Sequence, residues 1–459
     1  MPQPIPPRVG ALAALLLALA GCAAPVEVPA PSLAPPAAWS LDLPYAQGEA
    51  PGTDAWWREF GSAELDTLIA SALQANRDLH IAAARVAQAR AGAGAADAER
   101  LPQLGLAAGV RQGRDSSADP KASAASGGFR ASWEADLFGA KGLASAAASH
   151  DADSADLAQQ AMRIAVAAEV ATAYFEVRTL ARREAISRDA VATLERQVEV
   201  ARHRFAAGQS SALDIDRLVA ELRQEKAGAV QLQGARQGRL RQLAMLAGAP
   251  QPDLTLGQAS QEDPGLAAPA ALLPAELLER RPDVRQQARA VEAAAARLGV
   301  AKRDLYPRLQ LDWAGRQERL SIEGASASPA LVVGYGLAVL LPVFDGGRIR
   351  ANIALHEARA REAMAAYEKA MLAALADAEA ALVQWAAADS SVTELEQAVR
   401  SSADASQRSG RMFEAGLVGL DAVLDVRRSH QRTQDALLQA RGARWAAAVA
   451  VRRAFAGRV

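Results

Sequence analysis

The sequence is poor in cysteine, in aromatic residues and in net charge. Its 459 residues include one cysteine, Cys22, which excludes an internal disulfide and a cysteine-based metal cluster. Aromatic residues make up 4% of the chain, so the hydrophobic share of 51% rests heavily on alanine. A formal net charge of −1 argues against a nucleic-acid partner. The composition therefore disfavours disulfide scaffolds, metal-cluster proteins and nucleic-acid-binding proteins.

Long apolar runs are also scarce. The stretch from Val9 to Leu19 is too short to span a bilayer and has the length of a signal-peptide core. Small residues then precede Cys22, as in the bacterial lipobox, where the cysteine sulfur is acylated and the chain is cut just before it. We expect residues 1–21 to be a lipoprotein signal peptide and Cys22 to carry the lipid. An ordinary signal peptide with an incidental cysteine is the alternative.

Residues 22–55 are rich in proline and alanine, which suits an extended, lipid-anchored tether. The folded core is expected to begin near Trp56. By resemblance to bacterial lipoproteins, Ala23 after the cysteine, rather than aspartate, suggests sorting to the outer membrane.

Glycine and proline are missing from residues 143–204 and 348–409. Each segment is about 60 residues of mostly strong helix formers, enough for a rod on the order of 90 Å long. Each rod ends at a glycine, after which a second helix is expected to run back. The predicted helices cover residues 142–205, 211–247, 347–411 and 419–456. Taken alone, these segments are also compatible with a soluble four-helix bundle.

The sequence contains an internal repeat. Asn76-Arg77-Asp78-Leu79 returns as Arg281-Pro282-Asp283-Val284, an offset of 205 (281 − 76). Phe205-Ala206-Ala207-Gly208 returns as Phe413-Glu414-Ala415-Gly416, an offset of 208 (413 − 205). Matches in near-constant register indicate two similar structural halves, which we place at residues 56–260 and 261–459.

Before each rod, apolar and polar or small residues alternate, the pattern of a strand with one lipid face and one lumen face. The predicted strands cover residues 102–113, 127–138, 307–319 and 331–343. A small soluble sheet packed on helices is the alternative. If these strands lie in a membrane, four cannot close a barrel, because bacterial barrels need at least about eight. The pattern then requires an oligomer.

Several motifs resemble the TolC family, within which the chain is most similar to the lipidated, OprM-like (NodT-type) outer membrane proteins. They are the lipobox, Trp133-Glu134-Ala135-Asp136-Leu137-Phe138-Gly139, Arg280-Arg281-Pro282-Asp283-Val284 and Leu341-Pro342-Val343-Phe344-Asp345-Gly346-Gly347-Arg348. The resemblance implies a mainly α fold with a membrane β-barrel portion. A homotrimer would share one barrel of twelve strands, four per chain, above a long α-helical barrel in the periplasm. A periplasmic adaptor and an inner membrane pump, of RND type, would complete the export path.

The resemblance also assigns roles at the two helical turns. Gly208 and Gly416 match the turns at which the adaptor docks. Asp425 matches the family's constricting carboxylate, and Asp421, four residues earlier, shares its helix face. Repeated by trimer symmetry, the two aspartates would form a negatively charged ring that favours cations.

Asp214 resembles the partner carboxylate in contacts that hold the closed tip together. The family often supplies tyrosine and arginine opposite it, whereas this chain has Phe413 and Val418. Arg411 is the candidate substitute for the missing arginine. The alternative for these aspartates is that they only cap helix starts.

No catalytic or cofactor site emerges from the sequence. His150-Asp151-Ala152-Asp153 looks like a metal motif, but its acids are expected to favour the positive end of the helix dipole. Phe344-Asp345-Gly346-Gly347 lacks the Lys-Ser/Thr continuation of a phosphate loop and is expected to turn strand into helix. The protein is therefore not expected to be an enzyme.

We expect an outer membrane exit duct of a tripartite efflux system that passively exports drugs or other small toxic compounds. Two alternatives stay open: the duct of a type I protein-secretion system, and a periplasmic structural lipoprotein without a pore. Neighbouring genes for a proton-driven pump rather than an ATP-driven exporter would distinguish the efflux duct from a secretion duct. Conductance in planar bilayers would distinguish it from a lipoprotein without a pore.

Overall fold

A computed structural model describes residues 31–40, 55–114, 120–257, 266, 272–323 and 325–455. The predicted signal peptide and Cys22 lie outside these residues. The chain forms two compact units, one from residues 1–33, 84–157 and 285–370 and the other from 34–83, 158–284 and 371–459. Each unit draws on both predicted halves of the chain, so the sequence repeat is not a division into independent domains.

The first unit contains one antiparallel sheet. Its strands are β1 (Gln103–Gly113), β2 (Ala122–Ala135), β3 (Arg308–Ile322), β4 (Ala325–Ser326) and β5 (Ala330–Leu340). The long strands lie in the order β1-β2-β3-β5, and the two-residue β4 pairs with the end of β3. β2 begins before the predicted residue 127, because its pairing with β1 continues to Gly113 opposite Ala122.

The two faces of this sheet differ chemically. The strand register places Leu104, Ala131, Trp313 and Tyr335 in a row on one face, and this row is apolar. The neighbouring row lies on the opposite face and is polar or small: Gln103, Ser132, Asp312 and Gly336. Tyr335 is 90% exposed, so the apolar face is not covered by other parts of the described chain. A soluble sheet packed on helices would bury this face.

The helices of the described residues repeat in length. They are α1 (Ala63–Ala75), α2 (Arg77–Ala98), α3 (Ala140–Ala206), α4 (Ala212–Leu246), α5 (Pro274–Arg280), α6 (Pro282–Arg303), α7 (Arg348–Glu414) and α8 (Leu420–Ala454). α3 and α7 each have 67 residues, and α4 and α8 each have 35. At 1.5 Å per residue, α3 and α7 are each about 100 Å long. No bounds were predicted for the shorter helices α1, α2, α5 and α6.

The repeated motif marks a helix break in each half. Asn76 separates α1 from α2, and its side-chain amide donates to the carbonyl of Leu246 at the end of α4 (3.0 Å). Arg281 separates α5 from α6, and its guanidinium donates to the carbonyl of Ala454 at the end of α8 (3.1 Å). Carbonyls at a helix end lack intrahelical partners. Both breaks therefore supply a buried donor that caps the returning helix of the same half.

Aspartates begin the two long helices. Asp136 accepts hydrogen bonds from the backbone N–H groups of Lys141 (3.0 Å) and Gly142 (2.7 Å) near the start of α3. Asp345 accepts hydrogen bonds from the backbone N–H groups of Gly347 (2.9 Å) and Ile349 (2.7 Å) at the start of α7. The glycine-rich segment at Asp345 turns strand into helix, as expected.

The core of the second unit is aromatic. Phe175 stacks on Trp445 with ring centroids 4.5 Å apart, and Phe60 meets both rings edge-on. Trp39 also belongs to this core, although the sequence placed it in the tether. Its indole N–H donates to the carbonyl of Leu272 (2.9 Å), and its ring packs edge-on against Phe455. A large apolar ring gains more from burial than from remaining in a solvated tether.

We call residues 31–40 the strap. Besides the buried Trp39, the backbone N–H and hydroxyl of Ser32 both donate to Glu368 Oε1 (2.8 and 2.6 Å). The backbone N–H of Ser40 donates to Glu379 Oε1 (2.8 Å). Both acceptors lie on α7, so this part of residues 22–55 is docked rather than free.

Candidate functional site at the helical turns

Each long helix ends in a turn whose geometry requires glycine. After α3, Gly208 has φ +71°, and the N–H of Gln209 donates to the carbonyl of Arg204 (2.8 Å). After α7, Gly416 has φ +72°, and the N–H of Leu417 donates to the carbonyl of Met412 (2.8 Å). This is the left-handed helix ending that glycine adopts at little cost. The two turns share one backbone design.

The helices that leave the turns begin differently. α4 begins with a capping box, in which the N–H of Asp214 donates to Ser211 Oγ (3.3 Å) and the N–H of Ser211 donates to Asp214 Oδ2 (3.1 Å). Hydrogen bonds from the side chain and backbone of Ser211 hold the pKa of Asp214 below its ordinary value. α8 begins after Gly419, which offers no side-chain cap. Asp214 thus serves as a cap within its own chain, while its role in tip closure stays a prediction.

A small apolar cluster packs behind the turns. Its buried members come from α3, α4 and α8: Leu194, Val198, Ala201, Leu218 and Leu424. Leu424 is 4% exposed, whereas the side chain of the next residue, Asp425, is 73% exposed. Asp421, four residues earlier, is exposed as well. The packing of Leu424 therefore fixes the face on which both carboxylates stand.

The second turn also contacts the end of α3. The guanidinium of Arg204 lies over the ring of Phe413, 5.3 Å from its centroid, a cation–π contact. Phe413 and Val418 are half-buried, and Arg411 is exposed. The predicted closing residues Phe413 and Arg411 therefore lie at this turn, and their contacts with another protomer stay predictions.

Arg428 was not predicted as a site residue. Its guanidinium contacts Asp425 one turn earlier on α8, and its Nε lies 3.9 Å from Glu221 Oε1 on α4. Burial raises the pKa of Glu221 above its ordinary value, although the charges of Arg428 and Arg427 oppose that rise. The spacing of three residues between Asp425 and Arg428 indicates a pair on one helix face. The sequence gives no sign of the third partner, Glu221, because it lies on another helix.

The metal-like segment of α3 has another role. α3 begins at Ala140, so Asp151 lies about three turns inside it, whereas the helix dipole acts mainly within the first turn. Asp151 pairs with Arg297 on α6, and Asp156 pairs with Arg90 on α2 (2.8 Å). The expected interaction with the dipole is therefore wrong, and ion pairs to neighbouring helices replace it. Among the described residues no cluster of side chains suits a metal ion.

Comparisons with known proteins agree with this architecture. The family model described as "Outer membrane efflux protein" matches residues 68–249 and 273–457. The pyoverdine export outer membrane protein OpmQ of Pseudomonas aeruginosa is 31% identical, over 97% of this chain and 95% of its own. The probable outer membrane lipoprotein SilC of Salmonella typhimurium is 27% identical over 84% of each chain.

Solved structures show the same fold. The outer-membrane channel OprN superposes with a TM-score of 0.83 and 26% identity, covering 94% of this chain and 99% of its own. The predicted TolC-like fold, mainly α with a membrane β-barrel portion, is thereby confirmed. The chain belongs to the outer membrane efflux protein family.

Proposed function

We propose that the protein is one protomer of a passive exit duct in the outer membrane, part of a tripartite efflux system. The observation that carries this function is the sheet of the first unit. It has one exposed apolar face and one polar or small face, as a strand wall between lipid and a water-filled lumen requires.

The edges of the sheet support an oligomer. Within the described residues, β1 pairs only with β2, and β5 pairs only with β3. In lipid each unpaired backbone group costs several kcal/mol, so both edges must be closed by other copies. Three copies would supply twelve strands, as the TolC resemblance implies. We therefore infer a homotrimer.

The helical turns are the proposed contact with the remaining components. Gly208 and Gly416 shape two turns of equal geometry, which suits docking of a periplasmic adaptor to both. The adaptor would connect the duct to an inner membrane pump of RND type. In the proposed closed tip, Asp421 and Asp425 line the constriction, while Asp214, Arg411 and Phe413 contribute closing contacts.

The amino terminus would anchor the duct through acylated Cys22 in the outer membrane. The name of OpmQ records export of pyoverdine, and we infer from this likeness efflux of compounds rather than secretion of proteins. Export of drugs or other small toxic compounds is the activity we infer.

Three measurements test the duct. Mature protein in mild detergent should be a trimer by light scattering and should conduct ions in planar bilayers. A monodisperse monomer that binds little detergent would contradict both the barrel and the duct. Deleting the gene should raise sensitivity to toxic compounds, and the wild-type gene should restore resistance.

The constriction has its own test. Asp421→Asn combined with Asp425→Asn removes two negative charges per protomer with little change in volume. Cation selectivity and block by hexammine cations should both weaken, most clearly in dilute salt, because screening sets in beyond roughly 8 Å at physiological ionic strength. A double variant equal to wild type in both properties would show that these carboxylates do not line the throat.

A further inference from the structure

Arg428 stands between two carboxylates of very different exposure. The side chain of Asp425 is 73% exposed, whereas that of Glu221 is 16% exposed. Arg428, itself 46% exposed, contacts the first and lies 3.9 Å from the second. One guanidinium is therefore shared between an acid on the exposed face of α8 and an acid held between α4 and α8.

Resting on the proposed constriction, we infer that Arg428 is a selectivity-determining residue, which sets the throat's charge through its division between Glu221 and Asp425. When the guanidinium lies on Asp425, the two aspartates of a protomer present one net negative charge. When it lies on Glu221, they present two. Ion selectivity at the tip thus depends on α4, although α4 contributes no carboxylate to the proposed ring.

The contacts around Glu221 make both arrangements accessible. Arg427 also acts on Glu221, and its Nη1 is buried without a hydrogen-bond partner among the described residues. Glu221 thus keeps a counter-charge when Arg428 turns to Asp425. In the other direction, the exposed pair of Arg428 and Asp425 is well solvated, and such pairs are held weakly. Glu225, the other acid near Glu221, already accepts a hydrogen bond from the Ser187 hydroxyl (2.6 Å).

Two substitutions should move selectivity in opposite directions. Arg428→Gln leaves both aspartates uncompensated, and the permeability ratio of potassium to chloride should rise by up to about twofold, because the fixed charge per protomer increases from its divided wild-type value, between one and two, to two. Glu221→Gln frees Arg428 for Asp425, so the ratio should fall. Arg432→Gln, one turn further along α8, removes the same charge from the helix and should leave the ratio at the wild-type value. The ratio is obtained for the full-length trimer from reversal potentials in planar bilayers under a gradient of dilute potassium chloride.

The same bilayer series separates this inference from the proposed constriction. If the double Asp421→Asn, Asp425→Asn channel loses cation selectivity while Arg428→Gln and Glu221→Gln match wild type, the constriction stands and the role of Arg428 is refuted. If the double variant itself matches wild type, the constriction is refuted and the role of Arg428 with it. Shifts of equal sign in the two single variants would mean a merely structural role and would also overturn the inference. Should Arg428→Gln not assemble, Glu221→Gln decides alone, and an unchanged or raised ratio refutes it.

Discussion

Asn76 and Arg281 occupy equivalent helix breaks but perform the capping role with different chemistry. Asn76 is neutral. Its side-chain oxygen also accepts hydrogen bonds from the backbone N–H groups of Asp78 (2.9 Å) and Leu79 (3.2 Å), so it caps the start of α2 as well. Arg281 is charged and 9% exposed. Its charge is balanced by Asp283, whose Oδ2 lies 2.6 Å from Nη2. A buried guanidinium without such a partner would be strongly unfavourable.

Replacing Arg281 should therefore destabilise the second unit. Arg281→Met removes the donor to the buried carbonyl of Ala454 and should cost about 1–3 kcal/mol; the Asp283 side chain, 44% exposed, stays solvated. Arg280→Met is the matched control, because among the described residues Arg280 forms an ion pair with Glu276 near the surface, where about 1 kcal/mol or less is expected. Urea unfolding followed by circular dichroism measures both. Equal loss of stability in the two variants would contradict the capping role of Arg281.

The pair of Arg281 and Asp283 should make the stability of the fold depend on pH. Burial alone would raise the pKa of Asp283, but the hydrogen bond and charge of Arg281 outweigh it, so the folded-state pKa lies below the ordinary value. The pair stabilises fully above the ordinary value of about 3.9, and its contribution is lost as the pH falls through the lowered value. The melting temperature of the wild type should fall below about pH 4. Asp283→Asn should show a shallower fall over that window, and parallel curves would count against this account.

Among the elements, the start of α4 depends on one hydroxyl. Ser211→Ala removes the acceptor for the N–H of Asp214, and loss of such a cap costs about 1 kcal/mol. Amide hydrogen exchange over the first turn of α4 should speed up. Ser210→Ala, which removes only a hydrogen bond to the Ala201 carbonyl (3.3 Å), should leave that exchange unchanged. Faster exchange in both variants would argue that the turn, rather than the cap, sets protection.

The two faces of β5 should respond oppositely to charge. Leu337 lies in a row with Trp133 and Leu311 on the apolar face, while Ala338 lies beside Gln310 on the other. An arginine on the lipid face near the bilayer midplane costs about 2–4 kcal/mol. Leu337→Arg should therefore abolish trimer assembly in membranes, whereas Ala338→Arg should assemble. Normal assembly of Leu337→Arg would place this face away from lipid.

The long elements were predictable from local sequence patterns. The absence of glycine and proline predicted α3 over 142–205 and α7 over 347–411, within three residues of their ends at Ala206 and Glu414. The strands of the second half were located by alternation, of apolar with polar residues in β3 and of apolar with small residues in β5. No bounds were predicted for α2, in which Gly92 and Gly94 lower the local helix propensity.

The candidate site was only partly predictable. The spacing of four between Asp421 and Asp425 placed both on one face of a helix, because helix geometry is local. The role of Arg428 depends on Glu221, which lies in the other half of the chain and meets it only when α4 packs against α8. Trp39 was missed for a similar reason, because nothing in a segment rich in proline and alanine predicts a binding place in a distant core.

For the whole molecule, the strap would limit how far the proposed lipid on Cys22 can lie from the barrel. Cys22 precedes Ser32 by ten positions, and a chain of that length spans at most about 33–36 Å. Glu368, which binds Ser32, lies twenty residues along α7 from its first residue, Arg348, a rise of about 30 Å. The leash and the helix segment are thus nearly equal in length, with little slack. An acyl group on Cys22, as proposed, would reach only the membrane beside the start of α7, where the strands end.

A leash without slack can be broken by shortening it. Deleting residues 24–27 leaves six positions, which span about 20–22 Å and no longer cover a rise of about 30 Å. In the lipidated protein the Ser32 amide should then lose its protection from hydrogen exchange, because membrane attachment pulls it from Glu368. Adding Cys22→Ser to the deletion should restore protection by releasing the pull. A glycine–serine replacement of residues 24–27 at constant length should behave as wild type, so that length and not sequence carries the effect; protection that survives the deletion would mean that the anchor never draws the strap tight.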